Sequence, residues 1–264
     1  LNSVTYDRCV VIIPTYNEAE NIQDVVGRLR AVEPGVDVLI VDDNSPDGTG
    51  RIADELASTD DQVHVLHRQG KEGLGVAYIA GFRWAMDRGY DIVVEMDADG
   101  SHQPEQLGRL LGAIGSADAV IGSRWVPGGS IANWPRSREL LSRGGNAYIR
   151  LVLGLGLRDV TAGFRAYRTD ALRTIGLEDV ESAGYCFQTD LSRRAVQAGL
   201  NVIEVPIDFV ERERGESKMS GDIMSESLLR VTRWAIADRA DQVRERAKGV
   251  RSRLRRSASG RADS

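Results

Sequence analysis

Two carboxylates one residue apart, Asp97 and Asp99, stand in the segment MDADGSH directly after an apolar run. Ionised neighbours of this kind at a strand end repel one another until a cation or a proton relieves them. A hard divalent ion such as Mg2+ takes oxygen ligands and keeps waters and substrate phosphates in its shell, so the pair is a candidate metal site. A lone D-x-D is more often a solvated turn. Here three further polar clusters also follow apolar runs: PTYNEAEN at 14–21, DDNSPDGTG at 42–50 and GSR at 122–124.

Cations are concentrated further along. Arg124, Arg138, Arg143, Arg165, Arg212, Arg214 and Lys218 fall in short polar segments, and a guanidinium fork can bind two phosphate oxygens at once. In ERERGESKMS, Gly215 permits a tight turn that brings Arg212 and Lys218 toward one ligand. An acidic pair with convergent cations suits a diphosphate and a second phosphate. The turn KEGLGVAYIAG at 71–81 lets the backbone approach a ligand at Gly73 and Gly75, and Lys71 adds a charge. Other chemistries lack their residues: there is no GxxxxGK[ST] or GxGxxG loop, the three His are not spaced for zinc, and neither Cys belongs to a CxxC pair.

Positioning these groups requires alternating strands and helices. CVVII (9–13), VDVLIV (36–41), VHVL (63–66), DIVVEM (91–96) and AVIG (119–122) read as buried strands. Helical spacing separates them, as in Ile22, Val25, Val26, Leu29 and Val32, or Leu107, Leu110, Leu111 and Ile114. The pattern predicts an α/β fold with a mainly parallel sheet flanked by helices, and ligands in such a sheet bind beyond the strands' carboxyl ends. Past Gly128 the spacing predicts helices near 138–153 and 186–198 and a strand over 201–210. From about Ser220 an amphipathic helical pattern carries Ile223, Leu228, Val231, Trp234 and Ala235.

The chain is expected to comprise one catalytic domain over 1–220, an amphipathic helix over 221–247 and a basic tail over 248–264. Apolar residues make up 42% of the 264 and charged residues 28%, as in an ordinary globular protein. No apolar run approaches the ~18 residues of a membrane-spanning helix. The start, LNSVTYDRC, reads as cut from a longer chain rather than as a signal peptide. Cys9 and Cys186 are expected as buried thiols of a reducing compartment. Net charge is −5, but Lys248 to Arg261 holds six Lys/Arg and no Asp/Glu, leaving −11 elsewhere. That asymmetry argues against a nucleic-acid partner, whose basic residues should line a folded face; a basic tail suits an anionic membrane surface.

In order, VVIIPTYNEAENI, VDDNSPDGT, KEGLGVAYIAG, MDADGSHQP, IGSRW, LLSRGGN, TAGFRAYR, GYCFQTDL and VPIDFVERERGESKM resemble the segments of dolichyl- or polyprenyl-phosphate mannosyltransferases, inverting glycosyltransferases with a GT-A fold. The resemblance covers about 10–220. It is strongest to the actinobacterial polyprenyl-monophosphomannose synthases, some of which follow a membrane-embedded acyltransferase. What it implies is a Rossmann-like GT-A domain that transfers mannose from GDP-mannose to a polyprenyl monophosphate with inversion, using Mg2+ or Mn2+. The enzyme would work peripherally at the cytoplasmic membrane face, beside a membrane-embedded fusion or partner protein.

Carried over by motif, Pro14, Tyr16, Glu18, Val41, Asp42 and Asp43 would hold the nucleoside. Lys71, Ala98 and Arg124 would join the donor site with Asp97 and Asp99. The metal would rest on Asp97, Asp99 and Ser101, with Asp99 its direct ligand. Arg212 and Lys218 would contact the donor phosphates as catalytic groups, and Arg138, Arg143 and Gln188 would serve the acceptor. Where the family has Gln-x-Glu, this chain has Gln188 and Asp190, the latter expected to face the sugar. A UDP-glucose-dependent transferase to the same lipid, or a nucleotide-sugar-binding module without turnover, are the alternatives.

Overall fold

The computed structural model describes residues 8–180, 186–211 and 227–240. Its first half runs β1 (Cys9–Thr15), α1 (Ile22–Val32), β2 (Asp37–Asp42), α2 (Thr49–Thr59), β3 (Val63–His67), α3 (Leu74–Asp87), β4 (Ile92–Glu95), α4 (Leu107–Ile114) and β5 (Ala119–Ser123). Then come β6 (Ser130–Ala132), α5 (Arg136–Leu153), β7 (Arg165–Arg168), α6 (Thr169–Ile175), α7 (Cys186–Gln197), β8 (Val202–Pro206) and β9 (Asp208–Val210). A last helix, α8, spans 227–240.

Seven strands form one sheet in the order β3-β2-β1-β4-β7-β5-β8. All neighbours are parallel except β7, which lies antiparallel between β4 and β5. Side chains alternate across each strand, so Val11 and Ile13 face α1, α2 and α4 while Val10 and Ile12 face α3, α6 and α7. Both layers are buried, and each fully buried Val, Ile or Leu contributes about 1.5–3 kcal/mol relative to exposure. Helix α3 approaches closely because Gly81 has no side chain; a Cβ there would stand 2.6 Å from Ile12 Cγ2. A third cluster, with Ile121, Ile149, Leu157, Val160 and Val231, lies beneath α5 and α8.

Two departures from the sequence reading matter for the site. The run 201–210 is two strands, not one. β8 ends at Pro206, which has no N–H to donate, and Ile207 passes its carbonyl to Ser130 N–H, so β9 pairs with β6 in a separate two-stranded sheet. TAGFRAYR contains a central strand. Its alternation is disguised by Arg165, wholly buried and donating to Ala162 O, Val160 O, Gln188 O, Ser192 Oγ and Tyr167 Oη. Both cysteines are buried, as expected.

Candidate active site

Every parallel strand that ends in a polar cluster ends at the same edge of the sheet. On the β1–β2 side Asp42 is buried, and its carboxylate accepts Thr15 Oγ1 at 3.1 Å, Ser45 Oγ at 2.6 Å and Ser45 N at 3.2 Å. Asp42 therefore fastens the loop after β2. Its neighbour Asp43 is held by Arg68 Nη1 at 2.6 Å, and Arg68 also reaches Glu72. Burial pushes the Asp43 carboxyl up, against the pull of Arg68. Lys71 Nζ lies 4.3 Å from the centre of the Tyr16 ring, and Glu18 accepts Asn21 Nδ2 at 2.9 Å. Pro14 and Val41 are paired in the β1–β2 ladder. These residues form one polar shelf.

Asp97 and Asp99 follow β4. Tyr78 donates its phenol to Asp97 Oδ1 at 3.2 Å, and Asp99 Oδ1 accepts the amide of Ser101 at 3.0 Å. The Asp97 amide donates to His102 Nδ1 at 3.1 Å, so the imidazole proton sits on Nε2. His102 is packed between Phe164 and Phe209, with Gly163 opposite; a Cβ at Gly163 would lie 3.2 Å from the imidazole and 3.5 Å from Asp97. Desolvation, with the nearby Asp97 charge, drives the Tyr78 phenol well above its ordinary value, so it remains a donor.

Both carboxylates, with Ser101 and His102, line a cavity of about 230 Å3 whose other walls come from α5, α7 and α8. Its lining combines polar groups, Asp97, Asp99, Arg124, Arg138, Thr161 and Gln188, with apolar side chains of α5 and α8, Leu141, Ile149, Leu228 and Val231. A wider, shallow depression of about 610 Å3 beside β3, near Trp84 and Tyr90, contains none of these groups.

Of the two arginines that line the cavity, Arg124 and Arg138, the first is held more firmly. Asp159, wholly buried, accepts its Nε and Nη2 at 2.7 Å each and its backbone N at 3.0 Å, and Thr161 accepts Nη2 at 3.1 Å. Glu204 of β8 in turn accepts the amides of Arg158 and Asp159 at 2.7 and 2.8 Å. The guanidinium also lies over Trp134 and Phe209. Arg138 stacks on Trp134 and pairs with Glu211 at the cavity wall. Arg143 stands outside that lining, paired with Glu139 at 2.8 Å and stacked on Trp125.

Gln188 faces the cavity; Asp190, two residues on, does not. Residues two apart on a helix point about 200° apart, so the expectation that Asp190 faces the sugar is not met by this geometry. Asp190 is buried against Arg194 Nε at 3.0 Å and Arg193 Nη1 at 3.4 Å, and Arg193 continues to Asp238 of α8. Arg212 and Lys218 lie outside the described residues, as do the tail over 248–264 and the ends of the segment 221–247.

The sequence reading missed Asp159, Thr161, His102 and Asn146. Asn146 donates to Ser142 O and Thr161 Oγ1, leaving its buried Oδ1 without a partner among the described residues. The Gln188 amide likewise makes no well-formed hydrogen bond among the described residues, though it faces Glu95, and both Asn146 and Gln188 line the cavity. Beneath them Glu95 is wholly buried opposite Arg165, and among the described residues its carboxyl has no well-formed hydrogen bond, meeting the Gln188 amide at less than ideal geometry. Desolvation pushes it to about 8, against the pull of Arg165.

A proton that the folded state holds and the unfolded chain has released means stability falls as pH rises between the two pKa values. Glu95→Gln should therefore gain stability over the unaltered protein from pH 5 to about 8 and gain no more above that, as read by urea denaturation at a series of pH values.

Comparison with known proteins gives the chain a family. The family model for glycosyl transferase family 2 matches residues 10–176. An undecaprenyl-phosphate mannosyltransferase of Micrococcus luteus is 59% identical over 239 residues, 90% of this chain and 98% of that one. A polyprenol monophosphomannose synthase of Mycolicibacterium smegmatis is 56% identical over 239 residues, 90% of each chain. Two solved structures share the fold. Glucosyl-3-phosphoglycerate synthase of Mycobacterium tuberculosis, in complex with Mn2+, UDP and glucosyl-3-phosphoglycerate, superposes with a TM-score of 0.60 at 21% identity, covering 85% of this chain and 77% of that one. A Pyrobaculum calidifontis mannosyltransferase in complex with GDP-Man and Mn2+ gives 0.53 at 20%, covering 89% and 75%.

Proposed function

The chain belongs to glycosyl transferase family 2, and on that premise we propose that it transfers mannose from GDP-mannose to a polyprenyl monophosphate, inverting the anomeric carbon. The observation that carries this reading is the cavity, in which paired carboxylates and a clamped arginine share one lining with apolar side chains of α5 and α8. A sugar nucleotide needs the polar groups and a lipid phosphate needs both kinds.

The polar shelf around Tyr16, Glu18, Asp42 and Asp43 is assigned to the nucleoside, with Lys71 beside it. Asp97 and Asp99 present hard oxygen donors to the cavity, with Ser101 next to them, and so fit a divalent cation, Mg2+ or Mn2+. When bound, that ion supplies positive charge to the departing diphosphate. Arg124, held by its clamp at the cavity, is assigned to phosphate, while Arg138 from the wall and Arg143 from beside Trp125 are assigned to the acceptor. Arg212 and Lys218 remain assigned to the donor phosphates on the resemblance alone.

No strong base is needed for the step. A phosphate monoester, with a second pKa of about 6, is already ionised at neutral pH. Its oxygen attacks the anomeric carbon as the bond to GDP breaks and the electron pair leaves with the diphosphate. In-line attack converts an α-linked donor into polyprenyl-phosphate β-mannose. Substrate and product suit an enzyme peripheral to the cytoplasmic membrane face; the basic tail and a membrane-embedded partner belong to the same reading.

Mixing the protein with a short polyprenyl phosphate and a panel of nucleotide sugars tests it. The expected product is mannosyl lipid from GDP-mannose and none from UDP-glucose. Glucosyl lipid alone would establish the UDP-glucose transferase instead, and nucleotide-sugar binding without any product would leave a binding module.

A further inference from the structure

We propose that the outward faces of α5 and α8 together form a docking surface for an anionic lipid bilayer. The inference deepens the proposed function and rests on its lipid acceptor. It starts from side chains that have no reason to face water. Leu140 and Leu151 of α5 are 70% and 80% exposed, and Leu229 and Ile236 of α8 are 61% and 62% exposed. Clustered apolar exposure of this kind marks a contact surface.

The spacing sorts them onto faces. On α5, Leu140, Gly144, Ala147 and Leu151 follow i, i+4, i+7, i+11 and form one exposed row. Arg136, Arg143 and Arg150 repeat every seven residues and form a second exposed row along its flank. On α8, Leu229 and Ile236 are seven apart with exposed Arg233 between them. The opposite faces, through Ile149 and Val231, share one buried cluster. At the seam Tyr148 Oη and Thr232 Oγ1 are hydrogen-bonded at 2.7 Å, and Arg239 reaches Val152 O at 3.3 Å. Helices joined along their sides, with their inner faces in one core, turn their outer faces the same way.

Charge selects the occupant. The two helices contain seven arginines against Glu139 and Asp238, in a chain whose net charge is −5. An apolar stripe flanked by arginines is the pattern of a helix lying in a membrane interface, its stems snorkelling toward headgroups. A second copy of this chain would set like rows of arginine against one another, whereas anionic headgroups complement them. The groove of the proposed acceptor also opens between these helices, with Leu141 and Leu228 in its lining. A lipid chain can thus pass from the bilayer to Asp97 and Arg124 without crossing water.

The test is co-sedimentation of the full chain with vesicles of phosphatidylcholine, with and without phosphatidylglycerol. The unaltered protein should pellet with the anionic vesicles. Leu151→Glu/Leu229→Glu should lower its partitioning at least about tenfold. Arg136→Glu/Arg150→Glu should lower it by a similar factor, about tenfold, and only where phosphatidylglycerol is present. Circular dichroism melts check that each variant is folded, and mannosyl transfer to a short, water-soluble acceptor should be unchanged. Unaltered vesicle binding by either folded variant overturns the proposal, as does failure of the parent chain to bind. Concentration-dependent dimerisation abolished by the leucine substitutions would assign the face to a second copy and overturn it too. Transfer without vesicle binding refutes the docking surface alone; vesicle binding without transfer refutes the proposed reaction alone.

Discussion

Asp99→Ala is expected to lose mannosyl transfer by at least about a thousandfold, because the proposed metal, whose charge would offset the departing diphosphate, is assigned to that carboxylate. The fold should survive. Asp99 lies beyond the end of β4, and the bond it makes within the turn, from the Ser101 amide, is one that Asn can also accept. Asp99→Asn therefore separates the two roles: it should keep the melting temperature of the parent and remain nearly as inactive as the alanine variant. Near-parental turnover of either variant in saturating Mg2+ or Mn2+ would overturn the metal assignment.

Asp159→Ala should be the most damaging substitution for stability among those that also reach the site. It leaves the Arg124 guanidinium in a buried place without its carboxylate, a situation that costs about 3–5 kcal/mol. For a domain of this size that corresponds to roughly 10 °C in melting temperature. Activity should fall as well, since Arg124 loses the clamp that aims it. Exchanging both members, Arg124→Met with Asp159→Leu, should restore much of the stability, because a buried ion pair can be replaced by apolar groups at little cost. It should restore none of the activity. Recovery of transfer in that double variant would mean that Arg124 is structural only.

The legible part of this protein is the part whose chemistry is local. β1, β2, β4 and β5 are buried on both faces and so appear in the sequence as unbroken apolar runs, and each polar cluster follows its strand within a few residues. Asp97, Asp99 and Arg124 could be picked out for that reason. Asp159 could not: it earns its place through Arg124, 35 residues earlier, and nothing in RDVTAGF signals such a partner. β7 was hidden because a central strand is not expected to carry an arginine, and Arg165 is tolerated only because five acceptors surround its guanidinium. The orientation of Asp190 was recoverable. Helical spacing alone sets it opposite Gln188, and the family motif drew attention away from that periodicity.

The late antiparallel strand has a consequence for how the chain reaches this state. β4 and β5 are consecutive in the chain, yet β7 lies between them, so neither completes its hydrogen bonding until residues 165–168 have been made and inserted. During synthesis the first four strands can associate as they emerge, whereas β5 must wait for partners from both β7 and β8. Closing a loop of that length before any pairing rewards it places β7 insertion late on the folding route. A chain ending anywhere between β5 and β7 would carry two unsatisfied edges, at β4 and at β5, and such edges invite pairing with other chains. Fragments cut in this interval should therefore aggregate, while a chain extended past β8 should not.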